Sequence, residues 1–161
     1  MYGEWLYAKH TVFYDDLPHY FMEFDVLDTC SGSFLSTPRR RRLLKGLPVA
    51  SAPVLRQGEV PSIGHLESLI GPSRFIRPGH VERLRALCLE RNLDPRRALG
   101  ETDLTGLMEG LYIKVEEKGL VSERCKFVRA GFLQAVFSAE GHWLDRPIIP
   151  NLLREGVTLY G

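Results

Sequence analysis

Residues Glu109 to Arg129 read EGLYIKVEEKGLVSERCKFVR, and the fold of the whole chain turns on this stretch. Leu111, Ile113 and Val115 alternate with Tyr112 and Lys114. Beyond Glu117-Lys118-Gly119 the apolar residues Leu120, Val121, Phe127 and Val128 resume. Period-two alternation on both sides of a short glycine-containing turn predicts two antiparallel strands joined as a hairpin, with Gly119 taking the positive φ. The alternation sends Glu109, Leu111 and Ile113 to one face and Tyr112 and Lys114 to the other, while Arg124 and Lys126 share a face on the second strand. A carboxylate at a strand start within reach of several cations suits a divalent metal and a polyphosphate, because phosphate oxygens need positive charge and Mg²⁺ prefers carboxylate oxygen. It equally suits a solvated hairpin with cross-strand ion pairs.

Working outward, a chain of 161 residues is one domain's worth and can bury an ordinary core. At 44% hydrophobic and 25% charged it has the composition of a soluble globular protein. The net charge of +1, from 21 basic and 20 acidic residues, supplies no global field for nucleic acid, so any polyanion site is local. Arginine outnumbers lysine sixteen to five, which favours planar bidentate phosphate contacts over point charges. Cys30, Cys88 and Cys125 are odd in number and form no CxxC, which argues against a disulfide framework or zinc site and for a reducing compartment. No apolar run reaches membrane-spanning length and no signal peptide opens the chain, so the expected location is the cytoplasm, away from membranes.

In chain order, Met1 to His10 reads as a strand from its first residues, with Glu4 as a strand carboxylate. Tyr14 to Pro18 is a turn by composition. His10, Asp15, Asp16 and His19 are metal-ligand types at a spacing that fits no metal pattern. Tyr20 to Leu27 is apolar on both faces, as a buried central strand should be. Thr37-Pro38 predicts an N-cap followed by proline at the first helical position, and Gly46 stops that helix. Arg39, Arg40, Arg41 and Arg42 in its opening turns oppose the helix dipole. Phosphate contact with RNA would explain that local cost, and so would a solvated arginine face partnered by acids elsewhere. Pro53-Val54-Leu55 reads as a short strand. Helices follow from Ser62 to Ile70, from Pro78 to about Asn92 and after Asp94-Pro95, as a packing layer without chemistry of its own. Phe132, Val136 and Phe137 are apolar, and an extended Pro-rich tail follows. His142 and Asp145 suggest no relay, since no nucleophile of known motif precedes them.

Four segments together resemble the RNA ligases among the covalent nucleotidyltransferases, in the family's own order. MYGEWLYAKH looks like motif III, YFMEFDVLD like motif IIIa, EGLYIK like motif IV and RCKFVR like motif V. The resemblance implies an α+β fold in which antiparallel strands form part of a nucleotidyltransferase (ATP-grasp-like) cleft with peripheral helices outside. It implies ATP and Mg²⁺ as cofactors and RNA with 5′-phosphate and 3′-hydroxyl ends as partner. By position Glu4 matches the motif III residue that contacts the ribose, and Phe24 the ring that stacks on adenine, with Asp25 beside it. Glu109 matches the metal-serving carboxylate, while Arg124 and Lys126 match the two motif V cations. The family usually carries lysine at both of those positions. Arg124 keeps phosphate neutralisation but not an easily deprotonated amine.

In the family a lysine of a KxDG motif attacks the α-phosphate of ATP, AMP passes to an RNA 5′-phosphate, and a 3′-hydroxyl displaces it. None of Lys9, Lys45, Lys114, Lys118 and Lys126 is followed by x-Asp-Gly. The expectation is therefore residues 1–161 as the C-terminal portion of an RNA ligase domain, inactive alone. Such an incomplete domain is marginal in isolation and is completed by an N-terminal polypeptide carrying KxDG. The alternative is a non-catalytic nucleotide or RNA binding module.

Overall fold

A computed structural model describes residues 1–138 and 147–159. His142 and Asp145 lie outside the described residues. Helices and strands share the chain in an α+β arrangement of small sheets. β1 (Tyr2–Trp5) pairs antiparallel with β2 (Phe21–Asp25), and β2 pairs on its other edge with β5 (Ala50–Ser51). That second pairing is parallel, with Met22 opposite Ala50, and adds one parallel ladder to the antiparallel pairings expected. β3 (Leu27–Asp28) and β4 (Ser33–Phe34) form a minimal hairpin directly after β2. The third strand of the main sheet comes earlier than Pro53-Val54-Leu55. Proline has no N–H for a ladder, and pairing stops just before it.

α1 (Thr37–Leu44) starts one residue earlier than expected, with Ser36 as N-cap and Pro38 inside the first turn. Ser36 gives no side-chain capping bond. Instead the Glu116 carboxylate accepts from the Thr37 N–H at 2.8 Å and from its hydroxyl at 2.6 Å. The negative charge that the arginine-rich helix lacks at its N-terminus thus arrives from a distant strand. α2 (Ile63–Ser68) is capped by Ser62, and α4 (Pro95–Gly100) by Asp94, both as the sequence predicts. α3 (His80–Glu90) buries Leu84, Leu87 and Cys88. Around them gather Phe13, Ala98 and Ile149, and this cluster is the apolar core.

The chain after the helices forms β6 (Gly110–Glu117) and β7 (Leu120–Val128), an antiparallel hairpin as read from the sequence. Its turn uses positive φ at Gly119 and also at Lys118. A Cβ on Gly110 would lie 2.0 Å from the Phe127 carbonyl oxygen, so only glycine lets the strands meet there. α5 (Ala130–Ser138) follows β7. The sequence alone predicts no element there.

Several carboxylates inside the fold hold cations. Glu23, fully buried, accepts from Arg40 Nη1 and Ser51 Oγ, each at 2.8 Å. Asp15, also fully buried, accepts from the Arg77 N–H and from Arg83. Arg129 closes the hairpin base by pairing with Asp103 and donating to the Met108 carbonyl at 3.1 Å. The tail is fastened through buried Asn151, which accepts from the Tyr14 N–H and donates to the Leu6 carbonyl, each at 2.8 Å. Among the described residues no helix is long and apolar enough to cross a membrane.

Candidate functional site

Even-numbered positions of β6 build the site. Tyr112, Lys114 and Glu116 lie two residues apart and therefore share one face, and the register places Lys126 opposite Tyr112 and Arg124 opposite Lys114. This face meets the end of β2 and the start of α1. Glu109 stands one residue before β6, outside the strand's alternation, and so is not bound to the side of buried Leu111. Its Oε1 accepts a 2.5 Å hydrogen bond from the Tyr14 hydroxyl.

Two clusters result. In the first, Glu109 is flanked by Tyr14, Glu4, Lys126 and His10, each close enough to act on its charge. Burial pushes the Glu109 carboxyl above its ordinary range, and the negative Glu4 adds to the rise. The Tyr14 hydrogen bond, Lys126 and His10 pull the other way. Burial also raises the Tyr14 phenol strongly, with Glu109 the next cause. Tyr14 is therefore a hydrogen-bond donor throughout the physiological range. Lys126 is exposed and forms no ion pair among the described residues. A half-buried carboxylate beside an unpaired cation at an open edge is chemically suited to phosphate with a hard cation.

The second cluster centres on Asp25, whose side chain is fully buried. It accepts from the Tyr112 hydroxyl at 2.5 Å and Lys114 Nζ at 2.8 Å, with Arg124 Nη1 at 3.5 Å. Lys114 also donates to the Phe24 carbonyl at 2.7 Å. Burial of the Tyr112 hydroxyl, followed by its bond to Asp25, pushes its pKa up to about 12. The guanidinium of Arg124 lies 3.8 Å from the Phe34 ring centroid, and the Phe24 and Tyr112 rings sit 5.2 Å apart. Protein donors occupy the Asp25 carboxylate, while the Phe24 ring beside it stays partly open.

Of the residues singled out from the sequence, Glu4, Glu109 and Lys126 come together, and Phe24, Asp25 and Arg124 form the neighbouring group on the same hairpin face. Arg39, Arg41 and Arg42 are exposed on α1. Arg40 is corrected. With 2% exposure and its guanidinium on Glu23, it holds the fold and has no surface to offer RNA. Tyr14, Tyr112 and Lys114 were not marked as site residues. For Lys114 the signal was its place two residues from Tyr112 on the polar side of β6. Tyr14 gave no local signal, because its contact spans 95 residues.

Among the described residues no group of three or more His, Cys, Asp or Glu side chains is placed to hold a metal ion. Residues 1–128 match the family described as RNA ligase. Comparison with curated proteins gives no match, and comparison with solved structures gives none.

Proposed function

The chain belongs to the RNA ligase family, and from that premise we propose that it grips an adenine nucleotide and an RNA end between β2 and the β6–β7 hairpin. The observation that carries this reading is the convergence of Glu4, Tyr14, Glu109 and Lys126, residues from three separate parts of the chain. Phe24 offers its ring to the base, Glu4 its carboxylate to the ribose, and Arg124 and Lys126 their charge to the phosphates. Glu109 is the protein ligand for Mg²⁺. Among the described residues Glu109, Glu4 and His10 are not arranged as a three-ligand metal site, so the cation would take its remaining oxygens from phosphate and water, which is the habit of Mg²⁺. Bound there, the ion neutralises phosphate charge. The protein groups orient the phosphates against that ion.

The family joins RNA 5′-phosphate to 3′-hydroxyl ends through a lysine-bound adenylate. None of the five lysines here stands in KxDG, so these residues bind nucleotide and RNA without capturing AMP covalently. In this proposal the lysine that captures AMP comes from outside residues 1–161. Among the described residues the outer edge of β1 pairs with no strand and Trp5 on it is 62% exposed, which leaves room for a further segment there. The three free cysteines fit a cytoplasmic setting.

Incubation with α-labelled ATP and Mg²⁺, read on a denaturing gel, should leave the chain unlabelled, while equilibrium dialysis should show ATP bound. A labelled band overturns the non-covalent reading. Absence of ATP binding overturns the site.

A further inference from the structure

Helix α1 turns one arginine inward and three outward. Arg40 is locked on Glu23, whereas Arg39, Arg41 and Arg42 are exposed and form no ion pair among the described residues. Asp28 is the acid that feels Arg39. Its carboxyl is held low chiefly by the Ser31 hydroxyl, with Arg39 the smallest of the causes. Beside the helix runs an open groove of about 440 Å³ lined by Leu35, Arg39, Arg42 and Leu43.

The groove is tied to the hairpin tip at several points. Leu35 bridges to Leu120, and the Ser36 N–H donates to the Gly119 carbonyl at 3.0 Å. The Arg39 side-chain stem covers Gly119, where an added Cβ would meet Arg39 Cδ at 2.9 Å. Arg39 and Arg42, one turn apart, present two planar forks on one side of the helix, between two leucines. Phosphates need the forks, and ribose and base faces can rest on the leucine side chains. From Gly119 to Lys126 is seven residues of β7, about 23 Å at the rise of a strand. The geometry points to the α1 groove as the track of a single-stranded RNA, whose end reaches Lys126 along the hairpin. This assignment rests on the RNA ligase reading above.

The test is fluorescence anisotropy of a labelled 12-nucleotide single-stranded RNA with the full chain across a salt series, with ATP binding measured in parallel. Arg39→Ala with Arg42→Ala should weaken RNA binding at least tenfold. It should also flatten the log-affinity against log-salt slope by about 1.4, two phosphates' worth for a single strand, and leave ATP affinity unchanged. Leu43→Asp, at an exposed position, should weaken RNA binding similarly. Arg85→Ala with Arg91→Ala, an equal charge loss on α3 and at its C-cap, should change it less than twofold. Equal losses in both double variants, or no loss in the first, overturn the track. Displacement of RNA by a polyglutamate peptide at equal concentration marks an acidic-peptide groove instead and also overturns it. ATP binding without RNA binding removes the track and leaves the nucleotide site standing, while loss of both in the unaltered chain removes both.

Discussion

The Tyr14 hydroxyl donates a 2.5 Å hydrogen bond to Glu109 Oε1, joining the segment before β2 to the base of the β6–β7 hairpin. Asn151 holds the Tyr14 backbone from the tail side, so three distant segments fix where that one proton points. Tyr14→Phe removes a hydrogen bond to a charged acceptor. It should lower stability by about 1.5–3 kcal/mol in urea unfolding.

Glu109 titrates in the folded state above its ordinary value of 4.5, burial being the main cause. A group whose folded pKa is raised contributes stability that is fully present below the unfolded pKa and is lost as pH rises through the folded one. Glu109 therefore favours the fold near pH 4 relative to pH 7. Glu109→Gln should raise the thermal midpoint at pH 7, and the difference should shrink as pH falls toward 4.5. Melting curves of both chains across pH 4–8 check this (about that window, from the same linkage). A gap that widens toward acid would refute it.

Phe24 and Asp25 are neighbours with different work. On the proposed reading Phe24→Ala should weaken ATP binding by about 1–3 kcal/mol through lost stacking, and loss of its contact with the Tyr112 ring should lower stability by about 0.5–1.5 kcal/mol. Asp25→Ala strands Lys114 and Arg124 without their shared acceptor and should cost about 3–5 kcal/mol of stability. Paired calorimetric binding and unfolding measurements separate the two.

Arg40→Ala should destabilise by about 3–5 kcal/mol, because it leaves Glu23 as a buried unpaired charge. Arg41→Ala, one residue on and exposed, should stay within about 0.5 kcal/mol. Equal effects in denaturant titrations would contradict the inward turn of Arg40.

Glu116→Ala removes the acceptor for both Thr37 donors and should cost about 1 kcal/mol, as loss of a helix cap does. Adding back Glu116→Gln should recover part of that, which far-UV melting would show.

The hairpin was legible because alternation and a Lys-Gly turn are local signals, and so were the Ser62 and Asp94 caps. What escaped depended on contacts between distant residues. Glu23 sits between Met22 and Phe24 in a strand read as apolar on both faces, and that alone demanded a buried cation. Which cation it was depended on how α1 packs. α1 was expected one residue late because Thr37 resembles a cap, yet Ser36 takes the position and Glu116 supplies the acceptor. Phe132, Leu133 and Val136 carry helical spacing, which is the local signal for α5. Within the site, the motif-bearing residues were visible in the sequence, but Tyr14 was hidden inside a segment that composition marks as a turn.

The polar side of β6 meets β2 and α1 through Tyr112, Lys114 and Glu116, with ions and hydroxyls where most sheets would place oil. Parting that seam hydrates charges together with the Phe24–Tyr112 ring contact, so its opening carries a smaller heat-capacity change than melting of the Leu84–Leu87 core. Exchange of the Thr37 amide, which donates to Glu116 across that seam, should therefore quicken in concentrated salt at temperatures where α3 remains fully protected.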